Sequence, residues 1–312
     1  MSAPGGADTR SVIHIPEELS ASQIRFNGEA GRAFVAALPG RAELFLDRWG
    51  LRVTGPSMYG AASLVLPVVR ADGSAAALKL QLLDKESEGE ATALRVWGGR
   101  GAVRLLAEDP ATGTLLLERL DESRHLSALG ADPAGAWEAV GILAELLARL
   151  VAVPAPPGLR GLGEIAAGML AEVPGAVARL GAEDARLVRD CAAALREVAG
   201  EPGDRLLHWD LHYDNVLAAG REPWLAIDPK PLAGDPGFDL FPALTNLFDP
   251  DPAVTCRRFD LLTEVVGLDR ERARAWTLGR VLQNALWDVA DGEGALDADQ
   301  VSIARTLLSR AR

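Results

Sequence analysis

Apolar positions follow three successive rhythms along the 312 residues. Between Asn27 and Gly50, Phe34, Val35 and Leu38, and then Leu44, Phe45, Leu46 and Trp49, recur at helical spacing and predict two short helices split at Pro39-Gly40. Four short apolar or alternating runs come next: Ser63 to Val69, Ala75 to Gln81, Ala102 to Leu106 and Thr114 to Arg119. Turn signals at Asp72-Gly73, Gly98-Gly99 and Thr112-Gly113 punctuate them, so they read as strands. Lys85 to Trp97, between the second and third runs, reads as a helix. The first dozen residues read as a loose tail.

Beyond Leu120 the rhythm becomes helical. Asp132-Pro133 predicts a helix start, with Asp as cap and Pro in the first turn, and Trp137, Val140, Leu143, Ala144, Leu147 and Val151 follow at helical spacing. After the connector PAPPGLRGLG, helices are expected around Glu164 to Leu170 and Glu183 to Ala199. Three short apolar runs, Arg205–Leu207, Val216–Ala218 and Trp224–Ile227, interrupt this pattern, and from about Ala253 the chain is helical again. The outline is a mainly β first portion and a mainly α second portion that carries a small hairpin.

The three interrupting runs enclose the most informative polar residues. Asp210 and Asn215 bracket a loop between the first two runs, and Asp228 ends the third. A hairpin turning at Ala219-Gly220 brings that strand end back beside the loop, so two carboxylates and an amide oxygen converge. Hard oxygen ligands of this kind suit Mg²⁺, which takes few protein ligands and completes its shell with water and phosphate oxygens. Asp210 is then free to accept a proton from an attacking hydroxyl.

The order His208-Trp209-Asp210, Asn215, hairpin, Asp228 resembles the catalytic loop and metal-binding Asp of protein-kinase-like phosphotransferases. The stretches LKLQ, LRVWGGRGAVRLL, LLLERL, HWDLHYDNVL and REPWLAIDPKPLAGDPGFDL cover the chain from about residue 50 to 245. Together they resemble the aminoglycoside phosphotransferases, in the group of streptomycin 6-kinases and hydroxyurea kinases. Trp209 departs from the pattern, since many relatives have Gly there, and this could reshape the pocket wall beside the base.

The resemblance implies an α+β, bilobal, protein-kinase-like fold, with a β-rich N-lobe over residues 1–120 and a mainly helical C-lobe over 121–312. It implies transfer of a phosphoryl group from ATP, with Mg²⁺, to a hydroxyl of a small molecule of the streptomycin type. Asp210 would be the catalytic base, Asn215 and Asp228 the metal ligands, and His208 a brace for the loop. Lys79 would hold the α- and β-phosphates, oriented by Glu90, with Glu86 one turn earlier as the alternative. Ser57 and Gly60, in GPSMYG, would belong to the loop over the phosphates, and the main chain from Glu118 to Leu120 would receive the adenine. In GDPGFDL, which holds Asp235 and Asp239, the family has an Asp that supports the catalytic loop, and capping of the following helix is the alternative for Asp239; His212 reads as an exposed loop residue, with substrate contact as the lesser alternative. Hydroxyurea or another small metabolite is the alternative acceptor. An inactive nucleotide-binding regulator is the alternative class, disfavoured because Lys79, Asp210, Asn215 and Asp228 are all present.

Composition narrows the partners. With 44 acidic and 32 basic residues the net charge is −12, which disfavours nucleic acid and anionic membranes and suits a cationic acceptor. The longest uncharged run, Val53 to Val69, is broken by Pro56, Gly60 and Pro67 and is too short to span a bilayer. The N-terminus lacks the apolar core of a signal peptide, and Cys191 and Cys256 read as small core residues, so a cytoplasmic location is expected. Of the 32 basic residues only Lys79, Lys85 and Lys230 are lysines. A chain that otherwise chooses arginine has kept lysine at these places.

Overall fold

The structure, a computed structural model, describes residues 13–60 and 62–310; the tail expected over the first dozen residues lies outside them. The chain divides into two compact units. One comprises the described residues up to Glu88 together with Arg104–Arg119, and the other Gly89–Val103 and Leu120 onward.

The first unit holds helix α1 (Glu17–Arg48) and strands β1 (Arg52–Val53), β2 (Met58–Tyr59), β3 (Ser63–Val69), β4 (Ala75–Gln81), β5 (Leu105–Asp109) and β6 (Thr114–Glu118). The strands form one antiparallel sheet in the order β1-β3-β4-β6-β5, with β2 also on β3. Phe34, Leu38, Ala42 and Phe45, one face of α1, pack with Leu64, Leu66, Leu78, Leu80 and Leu116 of the sheet. Burial of that stripe supplies the main stabilisation of the unit. Arg41 ties the helix to the sheet ends, donating to Thr114 Oγ1 and the Gln81 carbonyl, both at 2.9 Å.

The two short helices expected here are instead one element that breaks at Gly28 rather than at Pro39-Gly40. Gly28 has φ 53° and ψ −122°, while Pro39 lies inside the helix. Burial of residues on both sides of Pro39 outweighs the single hydrogen bond that proline removes. At Gly28 the chain turns back sharply, and a Cβ on Gly31 would lie 2.0 Å from the Gln23 carbonyl oxygen. Only glycine permits that approach.

The second unit begins with α2 (Glu90–Trp97), shorter than the helix expected from Lys85 because Asp84 draws the amides of Glu86 and Ser87 into a turn. Next come β7 (Asp121–His125), α3 (Leu126–Ala131), α4 (Ala136–Val151), α5 (Leu162–Val177) and α6 (Ala182–Val198). Strands β8 (Arg205–Leu207), β9 (Val216–Ala218), β10 (Trp224–Ala226) and β11 (Leu232–Gly234) lead into α7 (Phe241–Thr245), α8 (Pro252–Val266), α9 (Arg270–Ala290) and α10 (Ala298–Ser309). Asp132 does not cap α4 as expected: it accepts from Ala134 N (3.0 Å) in a turn before the helix, which starts after Gly135.

The run expected as a strand from Ala102 to Leu106 is also divided. Ala102 bridges Ala226, and Val103 N donates to the Ala226 carbonyl at 2.9 Å, so this stretch is fastened to β10 and β5 starts only at Leu105. Trp97 is buried and donates to the Leu150 carbonyl of α4 at 3.1 Å. These bonds explain why Gly89–Val103 clusters with the helical unit. Cys191 is buried on α6, where loss of water pushes its thiol up to about 12; Cys256 on α8 is half-buried, and both are free. Among the described residues no helix is long and apolar enough to cross a membrane.

Candidate active site

Two short antiparallel ladders in the helical unit end at the same place. In the first, Leu207 pairs with Leu232, and the pairing continues as Lys230 N–H donates to the His208 carbonyl at 3.0 Å. In the second, Val216 pairs with Ala226, and Ile227 N–H donates to the Asn215 carbonyl at 2.9 Å. Asp228 lies between these two fixed points. The chain must cross from one ladder to the other within three residues, and Asp228 does so with φ 58°. Asp tolerates that left-handed region better than most residues.

Asp210 is held at both ends of its peptide. Its N–H donates to His208 Nδ1 at 3.4 Å, and its carbonyl accepts from Asn215 Nδ2 at 2.9 Å. Because the amino end of the Asn215 amide is bound there, its oxygen is the end left for a cation. Asn215 Oδ1 with the Asp228 carboxylate is a small, hard donor set of the kind Mg²⁺ uses. Among the described residues no cluster of three or more His, Cys, Asp or Glu side chains could hold a metal, so an all-protein cage is absent.

His208 is fully buried. It donates from Nε2 to the Ile227 carbonyl at 3.0 Å and stacks on Trp97 with ring centroids 6.1 Å apart. That donor fixes the neutral tautomer with Nδ1 as acceptor. Asp239 is also fully buried and accepts from His208 N (2.8 Å) and Trp209 N (2.7 Å), one bond to each carboxylate oxygen. The loop bearing Asp210 therefore hangs from Asp239, with the support expected of that residue. Asp239→Asn would turn an amino group toward one of these N–H donors and leave it unpaired. An expected cost of about 1–3 kcal/mol in unfolding free energy is measurable by urea titration.

These two buried groups give opposite pH dependences. Burial lowers His208 from 6.5 to about 4, so its contribution to stability is full above 6.5 and lost as pH falls through 4. Burial raises Asp239 from 3.8 to about 7, so its contribution is present below 3.8 and lost as pH rises through 7. As far as this pair is concerned, the slopes offset between pH 4 and 7. In His208→Gln only the Asp239 slope remains, and Tm relative to the wild type is expected to fall by roughly 5 °C across that interval. Calorimetry at the two pH values tests it.

Trp209, expected to alter the pocket wall, has φ 67°. A large side chain rarely adopts this conformation, whereas glycine does so freely. The indole is buried between the guanidinium groups of Arg160 and Arg280, each 4.7 Å from its ring centroid, and meets Trp287 edge-on. Arg280 and Asp210, with His212, Phe241, Asn246 and Asn284, line a cavity of about 280 Å³. His212 is half-buried rather than exposed; its Nδ1 caps the turn Tyr213–Asn215 by accepting from Asp214 N at 3.3 Å. A larger hollow of about 490 Å³ beside Glu183, Arg186 and Arg305 contains none of the motif residues.

The sequence reasoning did not find Arg280, Asn246 and Asn284, which lie on or after α7 and carry no motif of their own. Nor did it assign a role to Lys230, whose ammonium is 3.3 Å from Asp210 Oδ2; its one signal was the scarcity of lysine.

In the sheet unit, Lys79 lies on β4 between Val65 of β3 and Leu115 of β6 and is 4% exposed. A lysine buried in a central strand requires a partner, which an edge or snorkelling lysine does not. Ser57 precedes β2 and donates to the His14 carbonyl at 2.5 Å; Gly60 turns the β2–β3 hairpin, its N–H on the Ser63 carbonyl. Glu118 ends β6, and its N–H is committed to the Arg104 carbonyl at 3.0 Å, so that donor is not available to an adenine. In the helical unit, Leu120 is buried and Glu90 opens α2 with 1% exposure. Of the acidic residues around the start of α2, Glu88 is exposed, Glu86 is half-buried and Glu90 alone is buried.

Comparison with known proteins shows the family and the fold. The chain is 66% identical over 302 residues to a hydroxyurea phosphotransferase of Kitasatospora aureofaciens, covering 96% of this chain and 88% of that protein. It is 59% identical over 306 residues to a streptomycin 6-kinase of Streptomyces glaucescens, covering 96% and 98%. A choline/ethanolamine kinase family protein of Mesorhizobium loti superposes with a TM-score of 0.57 at 18% identity, covering 87% and 92%, which shows the protein-kinase-like fold. Residues 48–292 match the family described as aminoglycoside/hydroxyurea antibiotic resistance kinase, and the chain belongs to that family.

Proposed function

We propose that this enzyme transfers the γ-phosphoryl group of ATP to a hydroxyl of a streptomycin-type aminoglycoside. The observation that carries the proposal is Asp210, fixed through its peptide to His208 and Asn215 and standing at the wall of a cavity of about 280 Å³. The acceptor hydroxyl donates its proton to the Asp210 carboxylate as its oxygen bonds to the γ-phosphorus. The bond from that phosphorus to the β–γ bridging oxygen breaks, and ADP leaves. Asn215 and Asp228 would hold Mg²⁺, which when bound neutralises charge on the phosphate oxygens. Lys79 would neutralise the α- and β-phosphates, with Glu90 as the carboxylate that orients it. Ser57 and Gly60 would lie over the phosphates, and the adenine would be received by the main chain at Leu120 and the Glu118 carbonyl, the Glu118 N–H being committed to Arg104. Positioning and electrostatics supply the rate.

A cationic acceptor suits a chain of net charge −12. Hydroxyurea is the second reading, favoured by the 66% identical relative that bears that name. We infer that the reaction takes place in the cytoplasm, a reading that the use of ATP supports. Mg²⁺-dependent ADP release is the test, measured with streptomycin, other aminoglycosides, hydroxyurea, a tuberactinomycin peptide and choline. Stimulation by streptomycin supports the first reading. Stimulation by hydroxyurea alone supports the second, and silence across the panel rejects both.

A further inference from the structure

We propose that Lys230 is a further catalytic residue, whose ammonium leaves Asp210 to contact the phosphoryl group in transit. The proposal rests on the phosphotransferase reading above. Lys230 Nζ lies 3.3 Å from Asp210 Oδ2, with the two side chains 34% and 24% exposed. The pair is half-buried, and the backbone beneath Lys230 is closely held. Lys230 sits between Pro229 and Pro231, both buried, and its N–H is bound to the His208 carbonyl at 3.0 Å. Pro231 packs against Gly89 so closely that a Cβ there would lie 2.8 Å from the proline ring. The main chain is held on both sides of Lys230, and a four-carbon stem carries its ammonium to Asp210.

The choice of lysine is informative in a chain where all but three of 32 basic residues are arginine. An arginine fork binds both oxygens of a carboxylate, which would block Asp210 from an acceptor hydroxyl. A lysine engages Oδ2 and leaves Oδ1 open. During transfer the carboxylate and the phosphoryl oxygens, both anionic, must come within one hydroxyl's reach of each other. A cation two residues beyond Asp228 and in contact with Asp210 relieves that repulsion where it is greatest. The proton and bond changes remain those already described; Lys230 supplies charge and exchanges no proton.

The test uses the full chain with MgATP and whichever panel acceptor the wild type phosphorylates. In Lys230→Met, kcat is expected to fall about 100-fold with KM for MgATP changed less than about threefold. Affinity for ADP with fluoroaluminate, a mimic of the phosphoryl in transit, should fall by a similar factor, while affinity for a non-hydrolysable ATP analogue holds. Lys230→Arg, which keeps the charge but whose fork competes for Asp210, should recover only about a tenth of wild-type kcat. Lys230→Gln is read in place of the Met variant if the latter melts at a lower temperature than the wild type. A neutral variant with wild-type kcat overturns the inference. So does one that loses ATP-analogue and fluoroaluminate affinity equally. A wild type that phosphorylates no acceptor overturns the functional reading itself.

Discussion

Asp210→Asn is expected to lower kcat by about 10²- to 10⁴-fold while leaving MgATP affinity within about threefold. The amide has the size of the carboxylate, and the bonds that fix this residue use its backbone N–H and carbonyl, so the loop keeps its shape. What is lost is the oxygen proposed to take the acceptor proton, together with the charge that faces Lys230. Steady-state ADP release combined with nucleotide titration separates the two effects. A variant that turns over like the wild type would remove Asp210 from the chemistry.

Asp228→Asn should have a different signature. Asn also tolerates the left-handed region, so φ 58° imposes no new strain and the crossing between the two ladders survives. The substitution removes the one full negative charge of the proposed metal pair, and tightening of nucleotide binding by Mg²⁺ should weaken by about 100-fold or more. Binding of ATP without metal should change little, and transfer should become undetectable at millimolar Mg²⁺. Nucleotide titrations with and without Mg²⁺ measure this directly. A wild-type response to Mg²⁺ would place the metal elsewhere.

Much of this site was legible because its parts are close in sequence. The three apolar runs between Arg205 and Ile227 emerge as β8, β9 and β10 within one residue of expectation, since each is short, apolar and bounded by polar loops. The convergence of Asp210, Asn215 and Asp228 then followed from one hairpin. The support from Asp239 was also expected, although only the structure shows its two oxygens on successive amides.

The misreadings have physical causes. Pro39 is a louder local signal than Gly28, but burial on both sides of the proline holds the helix together while the glycine takes the turn. Lys85 to Gly89 has helical composition, yet the Asp84 side chain competes for the first amides. The cavity wall was not legible at all. Asn246, Arg280 and Asn284 reach Asp210 through helix packing, which local pattern does not encode. The left-handed backbone at Trp209 had one hint, the Gly that many relatives carry there, although the tryptophan itself does not reveal it.

The central claim is that Asp210 directs a phosphoryl group from ATP onto a small-molecule hydroxyl. The most direct test is to incubate the protein with MgATP and streptomycin, with hydroxyurea in parallel, and to follow products by ³¹P NMR and mass spectrometry. A new phosphate ester carrying one phosphate per acceptor is expected, formed with stoichiometric ADP by the wild type and not by Asp210→Asn. Release of inorganic phosphate with no ester on either acceptor, or equal ester formation by the variant, would contradict it.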